Sequence, residues 1–225
     1  MGEPWRDPYL TPGGVLINRW GIEDQDLLEA TETAFTDLRL AELAQQPIIG
    51  AFDLDHLRAV HRHIFQDVFE WAGEDRTVEI AKAHLFCERA AINAEGSRIF
   101  GALRKEKDLV DLPREKFVRR AAHYYDQVNQ LHPFREGNGR AQREFFRQLS
   151  LEAGWPLRWD RLGIEHGDPG KDILTGACIE AMDGRLDALE AVVDMCADRE
   201  RFGVPAVGGE EGPRIKHRGV GQIKL

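Results

Sequence analysis

Apolar side chains recur every three to four positions through most of the chain, a period that predicts helices. Residues 117–131 place Phe117, Ala121, Tyr124, Val128 and Leu131 on one face. Pro133 disfavours helical geometry at His132, so this helix is predicted to stop there. A second apolar-rich run, 141–151, predicts another helix starting near Asn138. Upstream, residues 26–43 put Leu27, Thr31, Ala34, Phe35 and Leu38 on one face. Asp53 reads as the N-cap of a helix carrying Leu57, Val60, Ile64 and Val68. Residues 90–103 give Ile92, Ile99 and Leu103, interrupted by Gly96. Runs at 173–182 and 186–195 predict two more helices, split by Asp183 and Gly184. Residues 77–80, β-branched with one charge, read as a short strand. The fold class is therefore mostly α.

From Phe202 onward Gly203, Pro205, Gly208, Gly209, Gly212 and Pro213 break any periodicity, which predicts a disordered tail over 202–225 with a basic end at 214–224. There is no internal repeat. The 225 residues, 42% of them hydrophobic, suffice for one large domain with a full core. Thirty basic against thirty-nine acidic residues leave a net charge of −9, which argues against general nucleic-acid binding. A local cationic site can still sit inside an acidic protein. Cys87, Cys178 and Cys196 are an odd count without a Cys-x-x-Cys, so buried thiols in a reducing cytoplasm are expected. His61 and His63, two apart, point to different sides of a helix and cannot share a zinc ion. No apolar stretch approaches the length of a membrane span, and the first residues carry no signal-peptide hydrophobic region.

The chemistry concentrates in residues 132–143, which hold a base, a carboxylate, a glycine-flanked turn and two guanidinium groups. Gly137 and Gly139 flank the predicted helix start. The first amides of a helix lack internal partners, and its dipole adds partial positive charge, so the pair makes an anion site. Arg140 and Arg143, three apart, share a face in the first turns, and their planar forks suit phosphate oxygens. Two cations there oppose the helix dipole by about 0.3–1 kcal/mol each when exposed, a conflict a polyphosphate would remove. Magnesium takes one or two carboxylates plus substrate phosphates, so Glu136 is a candidate metal ligand. His132 is a candidate general base near neutral pH. The run has no Gly-x-x-x-x-Gly-Lys-Ser/Thr and is not a P-loop.

The run resembles the signature of the Fic family, His-x-Phe-x-(Asp/Glu)-Gly-Asn-Gly-Arg-x-x-Arg. His132, Phe134, Glu136, Gly137, Asn138, Gly139, Arg140 and Arg143 match every specified position. The resemblance implies transfer of AMP from ATP to a hydroxyl on a target protein. His132 would deprotonate a Tyr, Thr or Ser hydroxyl, and Glu136 would hold Mg²⁺. The amides of residues 137–139, with Asn138 and Arg140, would cradle the phosphates, and Arg143 would engage the γ-phosphate. Phe134 would be a buried anchor of the loop. Phe69, Trp71, Ala72 and Gly73, followed by Arg76, resemble the family's approach to a β-hairpin flap. Here that flap would be 77–80 and 85–87, with Lys82, Ala83 and His84 near its turn, covering the nucleotide and pairing with the target's backbone. Phe86 is either its apolar contact or a core phenylalanine. Residues 9–19 resemble the opening segment of many bacterial Fic proteins, which divides the chain into a leading segment 1–22, a Fic domain 23–201 and the tail 202–225.

Many members are held inactive by a helix bearing Ser/Thr-x-x-x-Glu-Gly/Asn. Glu95, Glu136 and Glu211 precede glycines, but Ala91, His132 and Val207 stand four residues before them, and no Glu precedes Asn. The expectation is a toxin-like member, acting in a cytoplasm of its own cell or one it is delivered into, with a separate antitoxin protein supplying the glutamate to Arg143. Kinase-like members depart from Gly-Asn-Gly, which this chain keeps; phosphotransfer, other nucleotide or phosphocholine donors, and a catalytically silent nucleotide-binding protein stay open as alternatives.

Overall fold

A computed structural model of the chain describes residues 7–81, 85–163 and 169–198, with backbone alone over 169–172. The described chain is helical, as the apolar period predicts: α1 Gln25–Gln45, α2 Leu54–Phe65, α3 Ile92–Lys105, α4 Arg114–Leu131, α5 Asn138–Ala153, α6 Pro169–Met182 and α7 Asp187–Cys196. The antiparallel pair α4 and α5 forms the centre. α2 and, beyond it, α1 cover the α5 side, while α3, α6 and α7 pack on α4. Phe117, Ala121, Tyr124, Val128 and Leu131 of α4 are all buried, as their spacing requires. α5 is buried nearly all round, and its interior polar groups are bonded: the Gln142 amide donates to Tyr125 O, and Gln148 pairs with both Glu144 and His56. No helix among the described residues is long and apolar enough to cross a membrane. The three cysteines are free thiols, and burial pushes those of Cys178 and Cys196 up to about 12.

Several expectations change. α1 forms with Asp24 as N-cap, but it turns a different face inward: Leu28, Thr36 and Leu43 are buried, while Leu27 and Leu38 are more than half exposed. The inward row runs Leu28, Glu32, Thr36, so polar groups occupy part of it, and counting apolar residues alone selects the wrong side. Asp53 does cap α2, accepting from His56 N at 2.9 Å, yet the helix ends at Phe65 and Val68 is buried in the turn after it. Gly96 does not interrupt α3. A Cβ there would lie 2.7 Å from Leu54 Cδ2, so the glycine lets α2 and α3 approach closely.

The flap is the largest departure. Residues 77–80 form no regular strand, and the described arms meet in one antiparallel bridge, Ala81 to Leu85. The groups a ladder would use are taken elsewhere. The buried Arg76 guanidinium donates to Val78 O at 2.8 Å and to Cys87 O, while Cys87 N donates to Gln130 O on α4 at 2.9 Å. Lys82, Ala83 and His84, and the tail expected over 202–225, lie outside the described residues.

Candidate active site

α4 ends where Pro133 requires. His132 adopts the left-handed conformation (φ 43°), its N–H bonded to Val128 O at 3.2 Å. The chain then turns through 133–137 and enters α5 with Gly137 at φ 80° as its N-cap. Asn138 braces this loop from inside. Its Oδ1 accepts from Phe134 N at 2.9 Å and its Nδ2 donates to Phe134 O at 2.7 Å. Both ends of the side chain are thus bonded to the Phe134 backbone, which fixes the side chain within the loop. Phe134 is fully buried, stacked on His61 at 3.8 Å between ring centres.

A cavity of about 330 Å³ opens at this loop, lined by Glu79, Ile80, Ala81, Phe86, His132, Arg135, Glu136, Asn138 and Gly139. It brings together the base, the carboxylate, the amide end of α5 and the arm of residues 79–81. The His132 ring stacks on Phe86 at 3.7 Å and 12°, so Phe86 is buried and also faces the cavity. Nδ1 of His132 lies 3.2 Å from Asn129 O, which can only accept, so Nδ1 carries the proton in the neutral ring and Nε2 is the basic nitrogen. One oxygen of Glu136 accepts from Gly137 N at 2.8 Å. No cluster of three or more metal-ligating side chains exists among the described residues. Of the two described carboxylates lining the cavity, Glu79 is paired with Arg76 and Arg89, and Glu136 fits a magnesium ion that draws its other ligands from phosphate and water.

The two signature arginines do not converge on the cavity wall. Arg140 turns to α1, where it forms an ion pair with Glu32 and donates to Thr36 Oγ1 at 3.3 Å. Burial raises the Glu32 carboxyl, opposed by the Arg140 charge and reinforced by Glu136 nearby. Arg143 lies one turn further along α5, its Nη1 3.5 Å from the point a Cβ on Gly139 would occupy. Burial lowers its guanidinium below the usual arginine range, and no carboxylate among the described residues forms an ion pair with it.

Four groups that pattern reading did not assign to the site complete it. Arg76 Nε donates to His132 O at 2.9 Å, and Arg76 N donates to Pro133 O at 2.8 Å. Arg135, at an unspecified position of the signature, lines the cavity and is pinned by Asp7 at 2.9 Å. Glu79, paired to Arg76 and Arg89, also lines the cavity. His61 donates from Nε2 to Glu136 O at 2.9 Å, a tautomer fixed because Gly73 N donates to its Nδ1 at 2.8 Å. Arg76 was visible in sequence as the arginine after the Trp-Ala-Gly run; the others left no local signal.

Burial holds His61 neutral, its pKa pressed down from 6.5 to about 3. The unfolded state then takes up the proton first, so stability falls as pH drops from 6.5 toward 3 and is unaffected above that window. His56 is lowered by burial in the same direction. Between pH 7 and 5 the His61 share is about 2 kcal/mol. Urea unfolding of native chain and His61→Gln at both pH values measures it: the variant is less stable at pH 7 but loses less on acidification.

Helix order and loop have the arrangement expected of a Fic domain, and comparison with known proteins agrees. Residues 51–150 match the Fic/DOC family. A probable protein adenylyltransferase Fic of Salmonella typhimurium is 46% identical over 162 residues, covering 71% of this chain and 80% of that protein. The protein adenylyltransferase VbhT of Bartonella schoenbuchensis is 41% identical over 189 residues, 83% of this chain, which spans only 38% of the relative's length. Among solved structures, BepC from Bartonella tribocorum, with bound AMPPNP, superposes with a TM-score of 0.75 at 26% identity, covering 84% of this chain and 96% of that one. The chain belongs to the Fic/DOC family. Its relatives place it among the nucleotidyltransferases that modify proteins with AMP.

Proposed function

We propose that this chain transfers AMP from Mg-ATP to a Tyr, Thr or Ser hydroxyl of a target protein. The observation that carries the reading is the meeting of the His132 imidazole, the Glu136 carboxylate and the amide end of α5 on one cavity. In this reading His132 takes the hydroxyl proton on Nε2 as the oxygen attacks the α-phosphorus. The bond from that phosphorus to the α,β-bridging oxygen breaks, and pyrophosphate leaves with the electron pair. The main-chain N–H groups of Asn138 and Gly139 donate to phosphate oxygens, and that of Gly137 would join them as the Glu136 carboxylate it now holds turns to the metal; catalysis rests on placement and preorganised donors. Glu136 would hold the magnesium ion, which when bound neutralises phosphate charge. Phe86 keeps the imidazole ring in plane, and Phe134 anchors the loop that carries it. The BepC structure, with AMPPNP bound to a similar fold, supports a triphosphate ligand.

The target would dock along residues 77–87, where Leu85 is two-thirds exposed beside the cavity. Arg143 would take the γ-phosphate when the enzyme is active and the glutamate of a separate antitoxin protein when it is silenced, the toxin-like arrangement in the cytoplasm of its own cell or of a recipient cell. The absence of a carboxylate paired with Arg143 among the described residues supports that assignment. The test is intact-mass measurement of target proteins incubated with purified chain, Mg²⁺ and ATP labelled at the α- or γ-phosphate. A gain of one AMP carrying only α-label, with no partner protein added, is the expected result. Transfer of γ-label would replace this reading with phosphotransfer, and activity only after deletion of part of the chain itself would remove the antitoxin.

A further inference from the structure

The inward face of α1 carries a charge where an apolar residue would be expected. Glu32 and Thr36 sit one turn apart on it, Thr36 almost fully buried, and both bind the Arg140 guanidinium. The same guanidinium lies 4.7 Å above the Phe65 ring of α2. The tip of that ring fills the space beside Gly137, where a Cβ would overlap Phe65 Cζ. A continuous stack therefore runs from α1 through Arg140 and Phe65 to the residue that starts α5.

An arginine at this position can either reach into the cavity or hold the wall that forms it. Arg140 is committed to α1 and is not among the cavity-lining residues. Withdrawing it would strand the Glu32 carboxylate, whose side chain is only 12% exposed, without its counter-charge. Breaking a desolvated ion pair on one side is strongly unfavourable. We propose that Glu32 is a positioning residue for nucleotide binding: through Arg140 and Phe65 it fixes the amide end of α5, and Arg140 acts as a brace and not as a phosphate ligand. The inference rests on the reading that Mg-ATP occupies the cavity.

The test compares Glu32→Ala, Glu32→Gln, Arg140→Ala and the double alanine variant with native chain. Three quantities are read: thermal unfolding without nucleotide, the Kd for Mg-ATP by calorimetry, and kcat and KM for ATP. A brace makes the two alanine variants alike, each weakening ATP on the order of tenfold through misplaced donors. The double variant is then no worse than either single one, because the two side chains act as a unit. Glu32→Gln, which keeps an oxygen acceptor for the guanidinium, retains most of the native affinity. Tighter ATP binding or higher kcat in Glu32→Ala would overturn the proposal, since Glu32 would then be withholding a ligand. So would a loss in Arg140→Ala far larger than in Glu32→Ala, or lower unfolding temperatures with native Kd and kcat. Native chain that binds no ATP would instead sink the functional reading; the coupling of positions 32 and 140 in unfolding needs no nucleotide and is judged separately.

Discussion

His132→Ala is expected to abolish AMP transfer while leaving nucleotide binding intact. A positioned general base contributes roughly 10²–10⁴-fold to rate, and among the described residues the cavity offers no second imidazole: its other described wall residues that titrate or carry charge are Glu79, Arg135 and Glu136. The left-handed turn at its own backbone, the stack on Phe86 and the Nδ1 contact with Asn129 O orient the ring. Removing it deletes the proton acceptor without disturbing the amide end of α5, so the Kd for Mg-ATP should change by less than about threefold, under 1 kcal/mol. Intact-mass spectra of a modified target and calorimetry with ATP read the two quantities. A variant that still adds AMP at near-native rate would show that the base lies elsewhere.

The second large effect separates two glycines of one motif. Gly137 is at φ 80°, and a Cβ there would overlap the Phe65 ring. Gly137→Ala combines left-handed strain with overpacking against a fully buried ring, and should destabilise the fold by roughly 2–5 kcal/mol. Gly139 has helical geometry, and its added Cβ would meet only Arg143 Nη1, at the ordinary distance of 3.5 Å. Gly139→Ala should therefore fold as well as native or better, by about 0.5–1 kcal/mol. It would nevertheless place a methyl on the cavity wall, weakening ATP on the order of tenfold, or about 1.4 kcal/mol. Urea unfolding and ATP calorimetry on the two variants check the split. Equal stability losses would mean that packing demands both glycines and that the second says nothing about a ligand.

The parts of this molecule legible in sequence are those specified locally. Pro133 fixes the end of α4, Asp53 the start of α2, and the glycines around Asn138 the start of α5, each within a few residues of its cause. The base, the carboxylate and the loop between the central helices lie in one continuous run, so their convergence follows from a single turn. What escaped is held by partners distant in sequence. Arg140 and Glu32 are 108 residues apart, and Arg76 reaches across 56 to His132. Apolar spacing selects the wrong α1 face for the same reason: Glu32 and Thr36 are interior residues because a guanidinium from α5 meets them. Residues 77–80 read as a strand by β-propensity, and the resemblance makes them one arm of a hairpin, but Arg76 and α4 occupy backbone groups a ladder would need.

Arg76 has one further consequence. Its guanidinium holds Val78 O and Cys87 O on the two arms of the flap and His132 O at the base itself. If a target docks on the flap as proposed, it would bear on the same cation that seats the imidazole. Substrate docking and alignment of the proton acceptor would then be mechanically one event, and a misfitting visitor would slacken the chemistry it is meant to undergo.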